Sequence, residues 1–230
     1  MKLKELFTEA DRTVLVVLVS SSLVLATFLN YGNPSFAGDL LGRSADDEAS
    51  VVWMFLSALL LFGIVPCVVW KAVLRRDLRE IGIAAGDVAA GTRITLPALV
   101  LLVLPATFLS SRLAEIRSEY PLAADVGRSA SVFLLYQGAY LLYYVGWETF
   151  FRGYLVLGLA DRIGPLPAVG LSTLVSTAVH LGKPCAEVWG AVAVGFLFGW
   201  LALRTRSILW PLIVHAAVGV LNDVFVVFLP

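Results

Sequence analysis

Charge and sulfur are both scarce in this 230-residue chain: Asp, Glu, Lys and Arg make up 15% of it, and there are two cysteines and two histidines. Water-soluble domains carry about a quarter charged residues. A chain that is 59% hydrophobic with a mean hydropathy of +0.87 therefore reads as an integral membrane protein. The formal net charge is zero and no basic tract stands out, which removes the electrostatic case for a nucleic-acid partner. Cys67 and Cys185 lie in or beside apolar sequence and supply neither a disulfide framework nor a thiolate metal cluster. The Gly-x-Ser-x-Gly elbow, the His-Glu-x-x-His helix and paired membrane aspartates are also missing, which disfavours those hydrolytic chemistries. No repeat of the kind that marks secondary transporters is visible.

What the chain has in abundance is apolar runs separated by turn chemistry. Runs near residues 13–29, 51–70, 94–109, 129–159, 168–181, 188–203 and 208–228 predict an all-α polytopic membrane helix bundle of about seven spans, or eight if a re-entrant element is present. A cleaved signal peptide competes for the first run, but that run is long for such a segment. The chain divides into an N-terminal three-helix membrane portion over 1–128 and a core of four spans over 129–230. In the former, Arg75, Arg76 and Arg79 alternate with Leu74, Leu78 and Ile81. That pattern suggests a short amphipathic segment on the membrane surface, with an ordinary basic loop as the competing reading. Gly195 and Gly199 form a small-xxx-small pair suited to close helix approach. With the N-terminus inside, twelve of the 17 lysines and arginines fall on the cytoplasmic side, the distribution expected of a protein in the cytoplasmic membrane.

The ionisable residues inside these runs are the informative ones. Placing a charge near the centre of a bilayer costs roughly 2.5–3.5 kcal/mol even on lenient scales, so a survivor usually lines a site or a polar pathway. Glu148 and Arg152 stand four apart, share a helix face and can neutralise one another. Tyr140 and Tyr144 continue their stripe. Thr173, Ser176 and Thr177 lead along one face to His180, and the last span carries His215, Asn222 and Asp223. Glu148 and His180 lie equally far from the Gly164-Pro165 turn, about 24 Å of helical rise on each side, so two antiparallel helices would bring them to one depth.

A carboxylate and two imidazoles in a low-dielectric cavity are the parts of a hydrolytic centre. Glu148 can take a proton from water, while His180 and His215 can orient that water, bind a divalent metal such as Zn, or support an oxyanion. Arg152 and Tyr144 would support them, and Asn222 and Asp223 are further ligands or oxyanion donors. The blander reading of each residue stays open: an ion-pair staple, a histidine reaching interfacial water, a hydrogen-bonded core histidine. Lys183 and Glu187 read as a loop ion pair, with Glu187 within reach of the site mouth.

These residues resemble the CPBP family of intramembrane proteases, the CAAX-prenyl-protease and bacteriocin-processing group also called Abi. The resemblance covers roughly residues 136–224 and rests on three motifs in order. The Glu-Glu-x-x-x-Arg motif is present as Trp147-Glu148-x-x-x-Arg152, an apolar helix ends in His180, and a final helix carries His215. Where the family has a first glutamate, a phenylalanine and an asparagine, this chain has Trp147, Ser176 and Gly219. The resemblance implies peptide-bond hydrolysis near the membrane, with a membrane-associated protein or peptide as substrate and the lipid bilayer as surroundings. The departures leave a non-catalytic scaffold or immunity protein as the alternative.

Overall fold

The computed structural model describes residues 9–229, and every element among them is helical. Helix α1 runs Glu9–Tyr31 and is followed by the short α2, Pro34–Leu41, whose Asn33 cap accepts from the Phe36 N–H. Helix α3 covers Glu48–Val73 and starts from Asp47, whose side chain accepts from Ala49 N–H. Helix α4 covers Val88–Ser110, and a six-residue turn of helix, α5, covers Ala114–Glu119. Helix α6 is one rod over residues 130–163, in which Ala130–Glu148 opens into wide π-type turns at Thr149–Leu157 and tightens again over Gly158–Ile163. Gly164, at φ +91, turns the chain into α7, Pro165–Val179. Helices α8, Cys185–Thr205, and α9, Leu209–Phe228, complete the bundle.

Five of these helices, α1, α3, α4, α8 and α9, are long and apolar enough by composition to cross a membrane. The other two predicted spans are present as helices but fall outside that group. α7 is only 15 residues long, and α6 carries Gln137, Glu148, Arg152, Asp161 and Arg162 along its length. The middle of α6 is enclosed by the bundle, whereas α7 buries one face, with Ala168, Val169, Ser172, Thr173 and Ser176, and leaves Leu166 and Leu174 exposed. Every residue of Thr149–Leu157 is buried.

The central rod α6 packs closely on α3. A Cβ added to Gly146 would lie 2.4 Å from the Ala58 carbonyl oxygen, so only glycine permits this crossing. The aromatic side chains of α6 and α3 fill the space on either side: Phe55 stacks on Tyr140 with ring centroids 4.6 Å apart, and Phe62 on Phe150 at 5.0 Å. Gly195 and Gly199 do admit a neighbour closely, as their spacing predicts. Their missing Cβ positions are filled by Thr173 and Val169 of α7, 2.7 and 2.8 Å away.

The stretch 71–87 departs from the amphipathic-helix expectation. α3 continues to Val73, and a single 3-10 turn follows at Leu78–Ile81, capped by Asp77 and Glu80. Ile81 points into the core and is fully buried. The stretch is therefore tied down as a loop. Asp87 N–H donates to the Thr205 carbonyl, Trp210 Nε1 to the Ala85 carbonyl at 3.0 Å, and Ser207 Oγ to the Ala84 carbonyl. Arg76 and Arg162 both lie over the Trp70 ring, each 5.6 Å from its centroid. Arg75, Arg76, Arg79, Arg162, Arg204 and Arg206 thus gather at one end of the bundle. At the other end, Arg128 pairs with Glu48 at 2.9 Å, Ala124 N–H donates to the Asp46 carbonyl, and Lys183 pairs with Glu119.

Candidate functional site

Glu148 is the last residue of the regular part of α6 before its turns widen. Wide π-type turns leave side chains out of the ordinary register and are frequent at functional sites. The residue is fully buried. Its Oε1 accepts from His215 Nδ1–H at 2.6 Å and from Arg152 Nη1–H at 3.4 Å, while Oε2 makes no hydrogen bond. Arg152 is equally buried, its guanidinium lying over Phe198 at 5.2 Å and Phe151 at 6.0 Å. The expected Glu148–Arg152 pair therefore exists, and an imidazole from α9 joins it. The Glu148 carboxylate thus meets residues of two helices, Arg152 of α6 and His215 of α9.

His215 lies in the second turn of α9, with Tyr144 at 4.7 Å, Phe198 at 5.6 Å and Trp147 at 6.4 Å between ring centroids. Its side chain keeps 21% exposure, so one edge of the ring reaches open space although its carboxylate partner has none. Tyr144 holds this position because residue 219 is glycine: a Cβ there would sit 1.8 Å from the tyrosine Oη.

His180 closes α7. Its Nδ1–H donates to the Ser176 carbonyl at 2.6 Å. A carbonyl can only accept, so in the neutral ring the proton is on Nδ1 and Nε2 carries the lone pair. Trp147 meets this ring edge-on at 5.4 Å. The indole of Trp147 also meets His215 edge-on at 6.4 Å, so one residue of α6 packs against both imidazoles. The two histidines remain within electrostatic reach of each other.

Past His180 the structure differs from the expected loop pair. Lys183 bonds Glu119 and lies over the Tyr120 ring at 5.6 Å, leaving Glu187 to other partners. Glu187 Oε1 stands 3.9 Å from His180 Nε2, and Oε2 accepts from Tyr120 Oη–H at 2.9 Å. Burial, followed by the Glu187 charge, holds the Tyr120 phenol well above its ordinary pKa, so it stays protonated as a donor. Tyr120 and Glu119 escaped the sequence reading. They lie in what reads as a polar connection, and their partners are 64 to 67 residues away.

Asp223 is not gathered into this group. It is fully buried and accepts from Gln137 Nε2–H at 2.8 Å. Gln137 precedes Glu148 by eleven positions, about 16 Å along the helix. Asn222, its neighbour, is buried two turns beyond His215. Among the described residues no group of three or more His, Cys, Asp or Glu side chains is gathered so as to hold a metal ion. Structural and catalytic zinc sites take three or four protein ligands. Here Glu148 Oε1 is taken by His215 and Arg152, and Trp147 packs against both imidazoles. The arrangement does not fit the expected zinc site, and no step below passes through a metal.

No curated protein and no solved structure matches the chain. Residues 129–221, the segment that carries Glu148, His180 and His215, match the model of the Rce1-like family, type II CAAX prenyl endopeptidases, the group their motifs resemble.

Proposed function

We propose that this chain is an intramembrane endopeptidase of the CAAX type, hydrolysing a peptide bond in a membrane-associated or lipid-anchored protein. The observation that carries the reading is the buried Glu148–His215 contact at 2.6 Å, with His180 packed on the same indole as His215, inside the matched segment. Peptide hydrolysis needs a water deprotonated and an oxyanion stabilised where bulk water is excluded. Glu148 acts through His215: its Oε1 accepts from Nδ1–H and fixes the ring, and in its protonated form the ring presents Nε2–H as the donor for the oxyanion. His180, with its Nε2 lone pair facing the mouth, accepts from the attacking water. Arg152 neutralises Glu148, and Tyr144 supports the His215 ring.

The basic end of the bundle belongs inside by the positive-inside rule, with the N-terminus there and the protein in the cytoplasmic membrane. The Glu187–His180 mouth, beside Lys183 and Glu119, then opens toward the outer face.

The test is cleavage of a quenched fluorogenic prenylated CAAX peptide by the purified chain in detergent. His215→Ala and His180→Ala are each expected to lower kcat by about 10²–10⁴-fold, the usual contribution of a positioned acid–base group. Undiminished cleavage by both variants overturns the reading. One observation favours a second reading, a non-catalytic scaffold or immunity protein: an indole, Trp147, packs edge-on against both imidazoles where the motif it resembles has a carboxylate. Under that reading, the two variants keep the biological activity of the wild type.

A further inference from the structure

Of the carboxylates near the histidines, the fully buried one is poorly placed to meet water. Glu148 has no exposed surface, its Oε1 is shared by His215 and Arg152, and its Oε2 is sealed without a partner. Glu187 differs on each count. Its side chain keeps 23% exposure, it comes from a different helix, and its Oε1 faces His180 Nε2. Tyr143 on α6 lies within electrostatic reach of both carboxylates, so the two belong to one cluster.

The gap between Glu187 and His180 has a chemical requirement. His180 Nδ1–H is committed to the Ser176 carbonyl, which leaves Nε2 as an acceptor. A carboxylate oxygen is also an acceptor. The two stand 3.9 Å apart, too far for one proton to bridge directly. A water placed about 2.8 Å from each would see them at an angle of about 90°, close to the spread of its own two O–H bonds. Lys183, which could have neutralised Glu187, is bonded to Glu119 instead. The Tyr120 hydroxyl occupies Oε2 and so turns Oε1 toward the gap.

We infer that Glu187 and His180 together hold the nucleophilic water, and that Glu187 takes its proton. This rests on the endopeptidase reading above. The water oxygen forms a bond to the scissile carbonyl carbon as its O–H bond breaks, and the proton passes to Glu187 Oε1. The resulting oxyanion faces the His215 Nε2–H. On collapse the C–N bond breaks, the proton moves from Glu187 to the departing nitrogen, and the products are a carboxylic acid and an amine with Glu187 again ionised. Tyr120 is a positioning residue, since it acts on the water only through Glu187.

The test uses the full chain in detergent micelles with the same fluorogenic farnesylated peptide, and it separates kcat from KM. Glu187→Gln is expected to lower kcat by about 10²–10⁴-fold with KM changed by less than about threefold, and Glu187→Asp to restore part of the loss. The chain has two histidines, so their side-chain nitrogen resonances can be told apart. Glu187→Gln should shift those of His180 by more than those of His215, which lies within electrostatic reach of Glu187 but makes no contact with it. Near wild-type kcat in Glu187→Gln, with His215→Ala inactive, overturns this inference and leaves the endopeptidase reading in place. A wild-type chain that cleaves no such peptide overturns the endopeptidase reading and the proton-transfer role with it. In that case the His180 resonances still decide whether the Glu187–His180 pair exists, and unchanged shifts in Glu187→Gln remove it.

Discussion

Adding one methyl group at position 219 should disturb the site through a single tyrosine. The Cβ of Gly219→Ala would start 1.8 Å from Tyr144 Oη and 2.7 Å from its Cζ. Relief to ordinary contact at about 3.5–4.0 Å requires the end of the ring to move by roughly 1.5–2 Å. It has little room to do so, because Tyr144 is packed on Tyr140 at 4.6 Å and on His215 at 4.7 Å, and Tyr140 in turn on Phe55 at 4.6 Å. Overpacking of this kind costs about 1–3 kcal/mol. In a chain of this size that is a fall in Tm of roughly 2–12 °C, readable by thermal unfolding in detergent followed by circular dichroism. Tyr144→Leu withdraws the hydroxyl and the ring, so the double variant Gly219→Ala/Tyr144→Leu should lose less stability than the sum of the two singles. The expected coupling is about 0.5–3 kcal/mol. An unchanged Tm in Gly219→Ala, or strict additivity in the double variant, would refute the claim that residue 219 is glycine to make room for Tyr144.

Two further outcomes concern charges inside the bundle. Glu148→Gln leaves the Arg152 guanidinium buried without its anion and should cost about 3–5 kcal/mol. Glu148→Leu/Arg152→Met, which removes both charges, should be less destabilised than Glu148→Gln; the reverse order in denaturant titrations would rule out a mutually neutralising pair. At the other end of α6, Gln137 Oε1 and Asp223 Oδ1 are both buried without partners. Asp223→Asn supplies an N–H for the Gln137 oxygen and should leave stability equal or raise it by about 0.5–1.5 kcal/mol, whereas Asp223→Leu should lower it by about 1–3 kcal/mol. Equal losses in the two variants would count against this account of the Gln137–Asp223 contact.

Much of the architecture is legible in one dimension because the bilayer imposes it. A helix must satisfy its own backbone in lipid, so the apolar runs mark where helices lie, and α1, α3, α4, α8 and α9 follow those runs. The pairing of Glu148 with Arg152 is likewise local, since residues four apart on a helix are neighbours. The equal distance of Glu148 and His180 from Gly164 needed only the helical rise, whereas the packing of Trp147 on both imidazoles has no signature in the sequence. The tight approach at Gly195 and Gly199 was readable as a spacing, although its partners on α7 were not.

What the tertiary structure decided is which atoms those residues face, because contacts between distant segments leave no period in the sequence. That Glu148 Oε1 meets His215 Nδ1, 67 positions along the chain, is set by the packing of α9 on α6. Lys183 and Glu187, four apart beside a proline, looked like partners until α5 brought Glu119 to the lysine and Tyr120 to the glutamate. Ile81 sat in a pattern that suggested a surface helix, yet the close packing of the 78–87 loop on α6 and α9 buried it. Trp147 reads in the sequence as a departure from a motif, and in the fold it packs edge-on against both imidazoles. Composition and local periodicity were sufficient to say that a polar centre is built into a membrane bundle; contacts such as Glu148–His215, Tyr120–Glu187, Glu119–Lys183 and Gln137–Asp223 are long-range events, fixed when segments more than sixty residues apart pack together.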